Sequence, residues 1–116
     1  MDVVEIERFR ESLERTPSMR RRLFVERELD YVAPKADPVP SLAARFAARE
    51  ATMKALGLGL GAFGFHDVWV DRLDSGVPVL MVTGRAAELA AERGVQRWQV
   101  SLSHDGPVAV AVVAAL

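Results

Sequence analysis

Apolar side chains at Ile6, Phe9 and Leu13 fall between charged ones at helical spacing, which predicts an amphipathic helix over residues 5–15. Residues 2–4 before it read as the end of a strand. Thr16, Pro17 and Ser18 interrupt the pattern. A second amphipathic piece is expected over residues 19–31, with Leu23, Phe24 and Leu29 as its apolar positions. Pro34, Pro38 and Pro40 exclude regular structure over 34–40 and predict a loop. The main helix is predicted over residues 42–56, with Ser41 as N-cap, and Gly57, Gly59, Gly61 and Gly64 close it. Strands over 65–70 and 77–82, joined at Asp74, Ser75 and Gly76, read as a hairpin. An alanine-rich helix over 84–93 ends at Gly94. Two more strands, 98–103 and 108–114, flank His104, Asp105, Gly106 and Pro107. Helices first, then strands with one helix among them, give an α+β class.

Length and composition narrow this picture. The 116 residues suit one domain over 1–116, half of them hydrophobic and 27% charged. A net charge of −1 argues against a nucleic-acid binder. The absence of cysteine excludes disulfides, thiolate metal sites and cysteine nucleophiles. No apolar run is long enough for a membrane span, and the charged start does not read as a signal peptide, so a cytoplasmic location is expected.

Chemistry concentrates around one helix. Lys54 follows Glu50 by four residues, and the only other lysine is Lys35. That spacing alone reads most simply as a surface ion pair of about 0.3–0.5 kcal/mol. Asp2 alone reads as a solvated acid, yet Asp2 with Glu50 offers two oxygen ligands, the usual protein share for Mg²⁺ beside phosphate and water. His104 closes a strand and reads first as a loop hydrogen-bonder; His66 carries no assigned role. The Gly57, Gly59 and Gly61 run could bring backbone amides to a phosphate or simply cap a helix. Between Arg15 and Arg27, five arginines face a single acid, Glu26. Such a patch is a solvated face, an RNA contact or a dock for an acidic protein. Met19, Leu23 and Phe24 lie among these arginines.

Four ordered motifs then coincide: Asp2-Val3-Val4-Glu5-Ile6-Glu7-Arg8-Phe9; Arg45-Phe46-Ala47-Ala48-Arg49-Glu50-Ala51-Thr52-Met53-Lys54-Ala55-Leu56-Gly57; Phe65-His66-Asp67-Val68-Trp69-Val70 followed by Gly76-Val77-Pro78; and Val100-Ser101-Leu102-Ser103-His104-Asp105. Together they resemble the holo-acyl-carrier-protein synthases, the small trimeric 4'-phosphopantetheinyl transferases. The resemblance implies N-terminal helices and one long central helix packed on a small, mostly antiparallel sheet. It implies Mg²⁺-dependent transfer of 4'-phosphopantetheine from coenzyme A to a serine of an apo acyl carrier protein, releasing adenosine 3',5'-bisphosphate. Asp2 and Glu50 are then metal ligands, and Glu50, directly or through water, receives the serine proton. Lys54 stabilises phosphate charge. Arg45, Lys54, Gly57, Gly76, Pro78 and His104 contact the coenzyme. Arg8, Arg15, Met19 and Arg22 dock the carrier, and a homotrimer with sites between subunits is expected. The chain departs from the family pattern in having Arg49 for a lysine, Val77 for a lysine, Asp105 for a threonine, and few residues ahead of Asp2. These changes leave open a second reading, a catalytically impaired member that binds carriers without modifying them.

Overall fold

The computed structural model describes residues 1–116. Strand β1 (Asp2–Glu5) runs directly into helix α1 (Ile6–Arg15), whose Ile6, Phe9 and Leu13 are buried. The second amphipathic piece is not one helix. It divides into α2 (Met19–Leu23) and α3 (Glu26–Val32). Phe24 between them is buried in an extended conformation, and the Glu28 carboxylate accepts from the Val25 N–H at 3.1 Å, starting α3 afresh.

Helix α4 (Val39–Ala55) begins three residues ahead of the expected start, and Ser41 lies inside it. Pro38 is the N-cap, and Asp37 just before it satisfies the first helical N–H, its Oδ1 accepting from Val39 at 3.2 Å. Pro40 fits the first turn, where no intrahelical N–H bond is missed. At the other end, Gly57 has φ +71°, its N–H donates to Lys54 and that of Leu58 to Met53. This is a Schellman closure, which needs the left-handed conformation that glycine adopts freely.

β1, β5 (Val108–Ala115) and β4 (Trp98–Asp105) form an antiparallel sheet in the order β1-β5-β4. β2 (Val68–Arg72) and β3 (Pro78–Val82) form a separate antiparallel hairpin. The first hairpin strand starts at Val68, because Phe65–Asp67 forms a 3-10 turn in which His66 meets the Arg21 carbonyl. α5 (Gly84–Glu92) follows the hairpin. His104 and Asp105, expected between strands, are the last residues of β4.

α4 is buried nearly all round, as a central helix must be. Its Ala47, Ala48 and Ala51 approach the sheet, where Ala109 and Ala111 of β5 are fully covered. One apolar cluster joins the first half of α4 to α1, α2 and α3, and another joins its second half to the hairpin and α5. The opposite face of the three-stranded sheet stays open: Val3 is 51% and Val112 47% exposed, with Val110 half-buried between them in register. No helix is long and apolar enough to cross a membrane.

Candidate functional site

Two groups of polar side chains flank α4, and the helix geometry explains why they are separate. Arg45 and Glu50 are five residues apart, so at about 100° per residue they point roughly 140° from each other. β5 separates the sheet edges in the same way. Asp2 on β1 and Leu102 on β4 both pair with Ala111, two strand spacings apart, roughly 9–10 Å.

On the β1 side, the Lys54 ammonium donates to Asp2 Oδ1 at 2.5 Å. The local Glu50–Lys54 ion pair expected from spacing is absent; lysine instead reaches across to the strand. Asp2 is nearly buried, whereas Lys54 remains 59% exposed. The Asp2 hydrogen bond and charge hold the Lys54 ammonium above its usual range. Glu50 lies close enough to feel both neighbours. Burial, then the Asp2 charge, pushes its carboxyl above the usual carboxylate range, and Lys54 pulls the other way. Glu50 also opens onto a cavity of about 290 Å³ walled by Val4, Phe9 and Phe46 and edged by Arg8 and Ser12.

On the β4 side, Arg45 is only 1% exposed. Its Nη1 donates to the Ser41 carbonyl at 3.1 Å, and its guanidinium lies 4.7 Å from the centre of the Tyr31 ring. Its Nε has no partner. Lys35 and Arg72 approach the same ring, at 5.3 and 5.7 Å. His104 and Ser103 line a cavity of about 230 Å³ with these three cations. Burial draws the Arg45 guanidinium below its usual range; Glu28 opposes that and Arg72 adds to it. A buried guanidinium with an unpartnered Nε, beside two more cations, is a concentration of positive charge whose chemistry suits a multiply charged anion.

The remaining expected residues adjoin these two places. Gly57 is the exposed cap of α4. Gly76 lies in the β2–β3 turn with φ +88°, and its carbonyl accepts from Arg72 Nη1 at 2.6 Å. Pro78 pairs with Arg72 across the hairpin. Arg72 therefore brings a cation to the turn that Val77 deprives of one. Asp105 alternates away from His104 along β4 and is no part of that cavity. Arg8 faces the Glu50 cavity; Arg15 and Arg22 are exposed and form no ion pair, while Met19 packs partly onto the core. Sequence reasoning missed Tyr31, Lys35 and Arg72. The rarity of lysine was the one available signal, and it marked Lys35.

Comparison with known proteins bears on the family and the fold. The family model of the 4'-phosphopantetheinyl transferase superfamily matches residues 1–113. A holo-[acyl-carrier-protein] synthase of Streptomyces avermitilis is 57% identical over 116 residues, 99% of this chain and 93% of that protein. The one from Streptomyces coelicolor is 52% identical with the same coverage. Among solved structures, the Neisseria meningitidis synthase superposes with a TM-score of 0.88 at 28% identity, covering 99% of this chain and 94% of that one. The Helicobacter pylori synthase in complex with coenzyme A gives 0.84 at 26%, covering 99% and 96%. With an α+β fold of that type, and with the family's four motifs gathered on the two sides of one helix, the chain belongs to the 4'-phosphopantetheinyl transferase superfamily.

Proposed function

We propose that residues 1–116 act as one cytoplasmic transferase domain that moves 4'-phosphopantetheine from coenzyme A to a serine of an apo acyl carrier protein of fatty-acid or polyketide type. The observation that carries this reading is the buried, partly unpartnered Arg45 among Lys35, Arg72 and His104. It suits the 3'-phosphate and pyrophosphate of the coenzyme, with Gly76 and Pro78 beside the adenine. Asp2, Glu50 and Lys54 form the reacting half.

In the reaction, the serine Oγ forms a bond to the phosphorus that bears pantetheine. The bond from that phosphorus to the bridging oxygen breaks, and adenosine 3',5'-bisphosphate leaves with the electron pair. Glu50, whose carboxyl is raised by burial and by Asp2, accepts the serine proton. Lys54 swings from Asp2 to the phosphates, where a flexible ammonium serves as a point charge. Gly57 leaves the end of α4 open to that approach. Asp2 and Glu50 fit Mg²⁺: they are hard oxygen donors of like charge, close enough for one to perturb the other, and few enough to leave positions for phosphate and water. When bound there, Mg²⁺ supplies neutralisation of pyrophosphate charge.

The two halves flank α4, so a site that uses both is completed by a neighbouring chain. The open sheet face with Val3, Val110 and Val112 offers the apolar surface for a homotrimer. Arg8, Arg15 and Arg22, with Met19 among them, present the basic face to the acidic carrier. The test is incubation with coenzyme A, Mg²⁺ and apo carriers, read by mass spectrometry with and without chelator. A gain of one phosphopantetheine, abolished by chelator, is expected. Carrier binding with no modification by any carrier would favour the non-catalytic reading instead.

A further inference from the structure

We infer that Glu28 and Arg49 are positioning residues that fix the roll of α4, and thereby set Arg45 and Glu50 on their opposite sides. This rests on the transferase reading.

Both side chains are inaccessible, Arg49 at 0% and Glu28 at 1%. The Arg49 fork meets both carboxylate oxygens, with Nη1 to Oε2 at 2.9 Å and Nη2 to Oε1. The same carboxylate accepts from the N–H groups of Val25 and Val70, at 3.1 and 3.2 Å. Arg49 Nε donates to the Phe65 carbonyl at 2.8 Å. One pair therefore ties α4 to the start of α3, to the turn before β2, and to β2 itself.

Stability alone is a weak reason for such a pair, because a well-packed apolar replacement is often as stable or more so. Orientation is the stronger reason. α4 meets β5 through alanines on both sides, a smooth contact with little to resist rotation about the helix axis. Side-chain atoms stand about 5–6 Å from that axis, so a roll of about 10° moves them by roughly 1 Å. A displacement of that size can lower a reaction on the order of 100-fold. Arg49 immediately precedes Glu50 and follows Arg45 by one turn, so locking it fixes both. Tyr31, one turn beyond Glu28 on α3, is set beneath Arg45 by the same pair.

The test separates support from positioning through three variants of the full-length protein. Arg49→Met strands the Glu28 charge and is expected to lower the melting temperature and the activity. Glu28→Leu/Arg49→Met removes both charges and is expected to regain most of the melting temperature. Its kcat/KM for carrier modification stays at least ten-fold below wild type, with weaker coenzyme A binding by calorimetry. A double variant that regains activity together with stability overturns the proposal. Glu28→Asp keeps the charge but withdraws the carboxylate by one methylene, and serves if the double variant does not fold. A several-fold rise in KM for coenzyme A together with a several-fold fall in kcat is expected, and leaving both unchanged overturns the proposal. If the wild-type protein modifies no carrier, the transferase reading falls on its own, and coenzyme A affinity across the variants still reports the placement of Arg45.

Discussion

Replacing Arg45 with methionine separates the two things this side chain could be, a structural tie or a ligand receptor. Methionine fills similar space without charge. The change removes one hydrogen bond to the Ser41 carbonyl, about 1.5–3 kcal/mol for a charged donor, and a cation–π contact with Tyr31 of about 0.5–2 kcal/mol. It also removes a buried cation, a burden of several kcal/mol, since Glu28, the carboxylate acting on it, is already engaged by Arg49. These opposing contributions leave folding stability within roughly 1 kcal/mol of wild type, a melting shift of about 5 °C or less. Coenzyme binding behaves differently. Two lost charge-assisted bonds to phosphate amount to about 3 kcal/mol or more, which is roughly 100-fold in affinity. Calorimetric titration with coenzyme A and a thermal melt on the same preparation read both numbers. A fall in melting temperature above about 15 °C with unchanged coenzyme affinity would refute the reasoning and make Arg45 a tie between α4 and α3.

Glu50→Gln is expected to abolish carrier modification while stabilising the metal-free protein at neutral pH. The Glu50 pKa is raised on folding, so its ionised form opposes folding above that pKa, and the advantage of glutamine should vanish as pH falls towards the unfolded value near 4.5. Denaturant melts at several pH values measure this, and equal stability at neutral pH would count against it. Gly84→Ala should destabilise by about 1–3 kcal/mol, since φ is +56° and a Cβ would sit 2.8 Å from Asp67 Oδ1; a thermal melt decides. Val112→Asp on the open sheet face should yield a folded monomer by sedimentation with little transferase activity, and an unchanged assembly would contradict the proposed interface.

The elements most legible in the sequence were those with local patterning: α1 through Ile6, Phe9 and Leu13, and the capped end of α4 through Gly57. The start of α4 was misread because prolines signal interruption, although Pro40 is harmless in a first turn and Asp37 satisfies the first helical N–H. The break at Phe24 was hidden because it depends on Glu28 turning inward to meet Arg49, 21 residues away. At the candidate site, the sequence nominated Asp2, Glu50 and Lys54; spacing alone suggested a Glu50–Lys54 pair, the motif resemblance implied a phosphate for the lysine, and neither revealed its protein partner. Asp2, 52 residues distant, is its partner because β1 lies beside α4. Tyr31 and Lys35 stand at and just past the end of α3 and Arg72 at the end of β2, and they form no motif; only folding brings the two segments around Arg45.

The position of α4 between Arg45 and Glu50 has a genetic consequence. If each reacting centre joins one subunit's Glu50 to its neighbour's Arg45, two inactive proteins can repair each other. In a randomly mixed ring of Arg45→Ala and Glu50→Ala subunits, a junction is intact whenever an Arg45→Ala subunit contributes its Glu50 and a Glu50→Ala subunit contributes its Arg45. For an equal mixture this occurs at about a quarter of the junctions. Co-expressed lesions would thus restore a fraction of the activity that neither allele has alone, whereas two lesions on one side of the helix would complement nothing.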